Sequence, residues 1–264
     1  MNVSLRIGVI GGAGWLGGAI ANSMLNAGIV RSEHLSLSYR SAKPERFPGA
    51  FWTTDNQELV DRSDVVIMSV RPQDWDAVSI DAKQKLLISV MAGIRISALR
   101  ERHKTERVVR TLPNAAAEVS MSYTPWIASK AVQEHDRDIV RAIFSACGIQ
   151  DEVKSERDID YLTGFSGTGP AFPSLLASAM MEHAVGHGLS VDLARRAVVT
   201  LLKGTGRLLE KCQECPNDIV RAFVDYRGVT AAAIEEMRAA GLNDAVSRGL
   251  TVAFKKSESM GEPS

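Results

Sequence analysis

The sequence predicts an α/β fold in which an N-terminal doubly wound sheet is followed by a C-terminal all-α domain. Short runs rich in valine, isoleucine and leucine alternate with helix-like runs in the first half, which is typical of parallel strands buried on both faces. A glycine-rich turn, GGAGWLGG, follows the first of these runs. After Glu156 strand patterns give way to long helical patterns. We therefore expect two domains, 1–155 and 156–264.

The first half alternates strands and helices, which favours right-handed βαβ units within one sheet. Each strand is expected where a short apolar run lies between turn residues, and each helix where apolar residues recur at helical spacing. The predicted strands cover 6–10, 34–39, 65–70, 86–90 and 107–111, and strands at 122–128 and 151–153 complete the sheet. The predicted helices cover 16–27, 56–62, 75–83, 96–102 and 133–147.

The second half is expected to consist of helices alone. Gly241 is expected to end one helix and Asn243 to cap the next, while Ser166 and Thr168 are expected to cap the helix that starts at Pro170. A helical domain of this size is too thin to enclose a large core, so we expect it to bury apolar faces against a second copy, giving a homo-oligomer that is at least a dimer. The predicted helices cover 171–187, 191–212, 217–225, 229–240 and 243–257.

Composition narrows the functional classes. The 31 lysines and arginines balance the 31 aspartates and glutamates, so nothing in the charge indicates nucleic acid. No apolar run approaches the roughly 18 residues of a membrane helix, and no signal-peptide layout is present, so we expect a soluble, cytoplasmic protein. We expect no metal site, because neither the Cys212/Cys215 pair nor the His183/His187 pair has further ligands nearby.

The glycine-rich turn fits the G-x-G-x-x-G motif of dinucleotide-binding Rossmann domains. Gly12 allows a tight turn, Gly14 allows a pyrophosphate to approach the backbone, and Gly17 allows close helix packing. The helix that starts near Trp15 offers free N–H groups to phosphates. Gly11 permits a second alignment, G-x-x-G-x-x-G, and a glycine-rich turn without a ligand is the alternative. The predicted pyrophosphate contacts are Gly12, Ala13, Gly14, Trp15 and Leu16.

The end of the second predicted strand indicates which dinucleotide binds. An NAD site usually places Asp or Glu there for the ribose 2′-hydroxyl, whereas this chain has Arg40, Ser41 and Lys43. Arginine and lysine can pair with a 2′-phosphate and the serine can donate a hydrogen bond. We therefore expect NADP, as NADPH, in preference to NAD, the alternative being an ordinary solvated basic loop.

Four motifs occur in an order that resembles the pyrroline-5-carboxylate reductase family: Val70–Gln73, Ala92–Gly93, Pro113–Asn114 and Ser166–Phe172. The resemblance covers nearly the whole chain. It implies that Asn56 lies beside the adenosine of the cofactor. It also implies that the nicotinamide end is lined by Val70, Arg71, Pro72, Ala92 and Gly93.

The resemblance implies a reaction as well. In that family a nicotinamide hydride reduces a cyclic imine, pyrroline-5-carboxylate, to proline. Thr230 matches the family's catalytic threonine, and backbone N–H groups of Gly228, Val229 and Thr230 would bind the substrate carboxylate at a helix N-terminus. Arg227 replaces a family glycine and is either a carboxylate clamp or a solvated arginine paired with Asp225.

Other departures from the family pattern concentrate in the substrate segment. Asp225 and Tyr226 replace Ser-Pro, Ala222 replaces a polar residue, and Ala115 and Ala116 replace Thr-Pro. Substrate identity is therefore more open than reaction class. The alternatives are a related imine or 2-keto-acid reductase with a different substrate, and a non-catalytic NADP-binding protein.

Overall fold

The computed structural model describes residues 5–211 and 215–260. It divides into two compact units: a sheet unit, Met1–Thr168 with Ala253–Ser264, and a helical unit, Gly169–Val252. The sequence predicts a boundary between a cofactor-binding domain, 1–155, and a helical substrate domain, 156–264. That functional division stays a prediction. Cys212, where the predicted helix 191–212 ends and the C-x-x-C begins, lies outside the described residues.

The sheet unit is built on one eight-stranded sheet in the order β3-β2-β1-β4-β5-β6-β7-β8. Neighbouring strands are parallel except β6 and β7, which are antiparallel. The predicted strands are confirmed, and a short strand at Phe51–Thr53 joins them at one edge. The strands are β1 Ile7–Ile10, β2 Leu35–Ser38, β3 Phe51–Thr53, β4 Val65–Met68, β5 Leu86–Ser89, β6 Val108–Thr111, β7 Ser122–Ala128 and β8 Gly148–Glu152.

Helices cover both faces of this sheet, which explains its continuous apolar strands. Ile20 and Met24 of α1 pack with Ile143 of α4 in one buried cluster. Leu59 of α2 and Leu99 of α3 belong to a second cluster. The helices of this unit are α1 Trp15–Asn26, α2 Asn56–Asp61, α3 Ile96–His103, α4 Glu134–Cys147 and α5 Glu156–Leu162.

The predicted helix at 75–83 is wrong. The chain forms a 3₁₀ turn at Pro72–Ala77 and then continues in extended conformation. Val78, Ile80 and Ala82 are buried while the residues between them are exposed, so the apolar spacing has the period of two that belongs to extended chain. The backbone N–H of Ala82 donates to the carbonyl of His103 rather than to a helical partner.

Two predicted helix caps are also wrong. Helix α5 runs directly into a π-helical turn, Thr163–Gly167, so the Ser166 and Thr168 hydroxyls donate to carbonyls four residues earlier. Serine and threonine commonly bond in this way within helical backbone. Asn243 lies inside a helix that already begins at Leu242.

The helical unit consists of helices that bury few side chains. The described residues include α6 Ala171–Gly186, α7 Val191–Lys211, α8 Pro216–Asp225, α9 Val229–Ala239 and α10 Leu242–Ser259. From Ala253 onward α10 belongs to the sheet unit. The predicted helices are confirmed, with Cys212 excepted as above. None of the described helices has both the length and the apolar character needed to cross a membrane.

Candidate active site

A cleft of about 970 Å³ opens at the carboxyl ends of β1, β2, β4 and β5. In a doubly wound sheet the strand order reverses between β1 and β4, and ligands bind in the crevice at that point. Most of the predicted cofactor residues line this cleft: Ala13, Gly14, Trp15, Leu16, Arg40, Ser41, Asn56, Val70, Arg71, Pro72 and Ala92. The structure therefore brings together residues that are far apart in the sequence.

The glycine turn between β1 and α1 leaves no room for side chains. A Cβ at Gly11, where φ is +81°, would lie 2.5 Å from the Ser69 carbonyl oxygen, and one at Gly17 would lie 2.6 Å from the Gly11 carbonyl oxygen. Gly12 does not line the cleft but packs on Leu37, whose Cδ2 would lie 2.5 Å from an added Cβ. Both alignments of the motif therefore contain glycines at which an added Cβ would clash with its neighbours. Gly11 also has a left-handed conformation that only glycine adopts readily.

Ser38, at the end of β2, holds this turn in place. Its hydroxyl accepts the backbone N–H of Gly11 at 3.0 Å, and its carbonyl accepts that of Ala13 at 3.2 Å. The turn is therefore fixed to the neighbouring strand before any ligand binds.

The N-terminus of α1 is available to an anion. Gly14 precedes the helix and provides no side-chain cap, and the first turn contains no acidic residue. The first helical bond runs from Gly18 N–H to the Gly14 carbonyl, so the N–H groups of Trp15, Leu16 and Gly17 have no acceptor within the helix. Free N–H groups and the helix dipole together favour a bound phosphate.

Within residues 5–211 and 215–260, three charged side chains line the cleft. The Asp74 carboxylate accepts a hydrogen bond from Arg71 Nε at 2.9 Å and lies 3.6 Å from Arg40 Nη1. Arg40 and Ser41 follow β2, as predicted, whereas Lys43 is exposed and lies outside the cleft lining. Sequence reasoning missed Asp74, although it comes directly after the Val70–Gln73 motif.

The other end of the cleft is formed by the Pro72–Ala77 turn and the end of β5. Trp75 Nε1 donates to His103 Nε2 at 2.9 Å, and the Arg102 guanidinium lies over the Trp75 ring. Burial, and to a smaller extent the charge of Arg102, lowers the pKa of His103, so the neutral imidazole can accept this bond. Gly93, at φ +79°, lies outside the cleft lining, and an added Cβ there would lie 2.7 Å from Met260 Cβ.

Two further contacts join distant parts of the chain, and the first of them involves the start of α1, beside the glycine turn. Trp15 Nε1 donates to a Glu118 carboxylate oxygen at 2.8 Å, 103 residues away. The Asn114 amide donates to the Ser166 carbonyl at 3.0 Å. The P-N and S-G-T-G motifs are thus in direct contact within the sheet unit.

The predicted substrate segment lies in the helical unit. Gly228 precedes α9 without a side-chain cap, which places Val229 and Thr230 in the first turn, where N–H groups lack helical acceptors. Val229 is 90% exposed, and Thr230 is exposed as well. Arg227 has a left-handed φ of +55°. Both Arg227 and Asp225 are described, and they form no ion pair, so the alternative in which they pair has no support.

A doubly wound sheet with a glycine turn and an uncapped helix N-terminus at its switch point defines the class of Rossmann dinucleotide-binding proteins. Comparison with known proteins gives the family. A model for pyrroline-5-carboxylate reductase dimerisation matches residues 156–260, and one for NADP oxidoreductase, coenzyme F420-dependent, matches residues 6–93.

Full-length relatives agree with these matches. The pyrroline-5-carboxylate reductase of Methanosarcina acetivorans is 30% identical over 97% of this chain and 98% of its own, and that of Synechocystis is 27% identical over 98% and 100%. A crystal structure of Plasmodium falciparum pyrroline carboxylate reductase with NADP bound is 28% identical, with a TM-score of 0.89, and covers 98% of this chain and 99% of that chain. The chain belongs to the pyrroline-5-carboxylate reductase family.

Proposed function

We propose that the protein is an NADPH-dependent reductase that transfers a hydride to a cyclic imine, converting pyrroline-5-carboxylate to proline. The observation that carries this proposal is the cleft at the sheet switch point, lined by the glycine turn at one side and by Val70, Arg71, Pro72 and Ala92 at the other. The relative from Plasmodium falciparum, whose structure was solved with NADP bound, supports the choice of cofactor.

The residues of the cleft fit a dinucleotide. Glycines keep the turn open where a Cβ would meet backbone atoms, so a pyrophosphate can approach the N–H groups of Trp15 and Leu16. Arg40 and Ser41 would hold a 2′-phosphate, with Asn56 beside the adenosine. Bound NADPH would supply the hydride.

The chain's own groups have limited tasks in this reaction. The hydride would add to the ring carbon and a proton from solvent would complete the amine at the ring nitrogen, beside which the Thr230 hydroxyl would form a hydrogen bond. The N–H groups of Val229 and Thr230 would hold the substrate carboxylate at the start of α9, where the helix dipole favours an anion. Arg227 would add a bidentate contact to the same carboxylate if it serves as a clamp.

The proposal includes a homo-oligomer that is at least a dimer. Its support is the match of residues 156–260 to a dimerisation model together with exposed leucines on the helical unit, such as Leu175 and Leu201. Light scattering on the purified protein tests this, and a monomer at micromolar concentration would contradict it. A cytoplasmic location stays a prediction.

The test of function is NADPH oxidation followed at 340 nm, with pyrroline-5-carboxylate, other cyclic imines and 2-keto acids as substrates. We expect the highest kcat/KM with pyrroline-5-carboxylate. The departures at Asp225, Tyr226 and Arg227 favour a second candidate, a related imine reductase, which would prefer another member of this panel. Tight NADPH binding without turnover of any member would indicate a non-catalytic binding protein.

A further inference from the structure

Among the described residues, the charged side chains that line the cleft are those of Arg40, Arg71 and Asp74. Arg40 follows β2 and Arg71 follows β4, and β1 lies between these two strands in the sheet. The carboxylate of Asp74 is close to both guanidinium groups, at 3.6 Å from Arg40 Nη1 and 2.9 Å from Arg71 Nε. The negative charge of Asp74 thus lies between the guanidinium groups of Arg40 and Arg71, which follow the strands on either side of β1.

The carboxylate is the fixed member of this group. Asp74 receives the Arg71 side-chain hydrogen bond and donates its own N–H to the Arg71 carbonyl at 2.9 Å. Its turn is also anchored by the Trp75–His103 bond. The side chain of Asp74 is 32% exposed, whereas that of Arg40 is 78% exposed. Arg40 can therefore move toward a ligand, while Asp74 stays beside Arg71.

The 2′-phosphate of NADPH and the 2′-hydroxyl of NADH would interact differently with Arg40 and Asp74. A 2′-phosphate that binds Arg40 competes with Asp74 for the guanidinium and approaches a fixed negative charge. A ribose 2′-hydroxyl carries no charge, does not need Arg40 and can donate a hydrogen bond to a carboxylate. The presence of Asp74 therefore disfavours NADPH but not NADH.

We propose, on the basis of the proposed function, that Asp74 is a specificity-determining residue for the cofactor. Its carboxylate lies 3.6 Å from Arg40 Nη1 in the free protein, competes with a 2′-phosphate for that guanidinium, and so narrows the preference for NADPH over NADH. The residue sets how strongly the protein discriminates between the two dinucleotides.

The experiment measures calorimetric Kd values of NADPH and NADH for the full-length protein and for Asp74→Asn. Asparagine keeps the size of the side chain and can still accept from Arg71 Nε. We expect NADPH to bind about 3- to 5-fold more tightly to the variant, as expected for loss of an exposed ion pair, and the Kd of NADH to change by less than about 2-fold. Salt should weaken NADPH binding more steeply in the variant, because the cleft is then more positive.

The matched control is Asp76→Asn, which removes the same charge from the same turn. Asp76 is 88% exposed, pairs with Arg102 and lies outside the cleft lining, so the ratio of the two Kd values should stay that of the parent. In the Arg40→Gln background, Asp74→Asn should tighten NADPH binding less than in the parent background, because only the repulsion between Asp74 and the phosphate is then removed. Asp74→Ala is a second replacement that removes the same charge. Thermal unfolding of every variant checks that each one is folded.

Contrary outcomes are well separated. Equal ratios of Kd for Asp74→Asn and Asp76→Asn, or weaker NADPH binding in both Asp74 variants, would overturn the role of Asp74 while leaving the proposed function intact. A parent protein that binds neither dinucleotide would refute the proposed function, and this inference with it.

Discussion

The sheet unit buries most of its apolar side chains, whereas the helical unit leaves most of its own exposed. In the sheet unit the central strands and the helices on both faces bury nearly all of their aliphatic side chains. In the helical unit, among the described residues, the buried apolar side chains are Ala194, Val198 and Ala231, and α6 and α7 leave leucines and valines exposed. The first unit has a core of its own, whereas the second needs another surface to cover its helices.

The two candidate sites differ in the same way. The cleft is formed within the sheet unit by residues whose positions are fixed by Ser38, Asp74 and the glycine turn. The Gly228–Thr230 segment is exposed at the start of α9, and within the described part of the chain the Thr230 hydroxyl has no hydrogen-bond partner. We therefore expect cofactor binding to depend on the sheet unit and catalysis to depend on the Gly228–Thr230 segment of the helical unit.

Arg110→Met tests the self-contained stability of the sheet unit and should have the largest effect. Arg110 is fully buried and pairs with Asp160, itself 1% exposed, at 2.6 Å and with Glu156 at 3.0 Å. Asp160 keeps Arg95 at 2.7 Å, so the loss in unfolding free energy, measured in urea, should be somewhat smaller than the roughly 3–5 kcal/mol expected when a buried charge is left unpaired. Arg141→Met is the control, since its pairs with Glu134 and Asp138 are exposed and such pairs contribute little to stability. Similar losses in both variants would contradict the contrast between interior and surface.

Thr230→Ala tests whether the helical unit supplies chemistry without cofactor affinity. We expect kcat to fall roughly 10²-fold, the effect of losing one donor to developing charge, while the Kd of NADPH stays within about 2-fold of the parent value. Steady-state kinetics and calorimetry measure the two quantities. Thr251→Ala, another exposed threonine of this unit, should leave both unchanged. If Thr230→Ala turns over like the parent protein, the threonine has no such role.

Two adjacent glycines of α1, Gly17 and Gly18, test how far the sheet unit alone controls cofactor binding. A Cβ at Gly17 would lie 2.6 Å from a backbone oxygen, whereas one at Gly18 would lie 2.7 Å from the end of the flexible Arg46 side chain. Gly17→Ala should lower unfolding free energy by about 1–3 kcal/mol and weaken NADPH binding about tenfold. Gly18→Ala should stay closer to the parent in both, because the flexible Arg46 side chain can move away and loses only its exposed bond to the Ala13 carbonyl. Equal effects at both positions would show that the close approach of turn and helix is unimportant.

Arg227→Gly should have the smallest effect, on the helical unit. Arg227 has φ of +55°, a conformation that costs an L-residue about 1–2 kcal/mol, partly offset by the greater freedom of glycine in the unfolded chain. We expect stabilisation by about 0.5–1 kcal/mol, measured by thermal unfolding. The KM for the imine decides the role of the side chain: an increase of about tenfold indicates a carboxylate clamp, and an unchanged KM indicates a solvated arginine.

Local patterns in the sequence were sufficient for most of the fold. Strands such as Val65–Met68 and the turn at Gly11–Gly17 are specified by residues that are neighbours in the chain, so apolar period and glycine spacing predict them. The Phe51–Thr53 strand is too short for a period to be read. The sequence predicts a helix in place of the extended segment after Ala77, because Val78 and Ala82 also have helical spacing.

The supporting contacts of the site could not be predicted in this way. Glu118 reaches Trp15 across 103 residues, and Arg46 donates to the Ala13 carbonyl across 33 residues. Such pairs depend on how loops meet in space, and no local pattern records that. Asp74 is different, because a carboxylate three residues after Arg71 is visible in the sequence, and its link to Arg40 follows only from the sheet order.

The last turns of α10 have a consequence for protein chimeras. Phe254 packs edge-to-face against Tyr161, and Met260 Cβ would lie 2.7 Å from a Cβ added at Gly93, so residues late in the chain complete the unit that carries the glycine turn. A recombination that exchanges only the first 168 residues with those of a relative would pair these surfaces with a foreign helix end. Grafts that carry residues 253–260 along should retain the native fit.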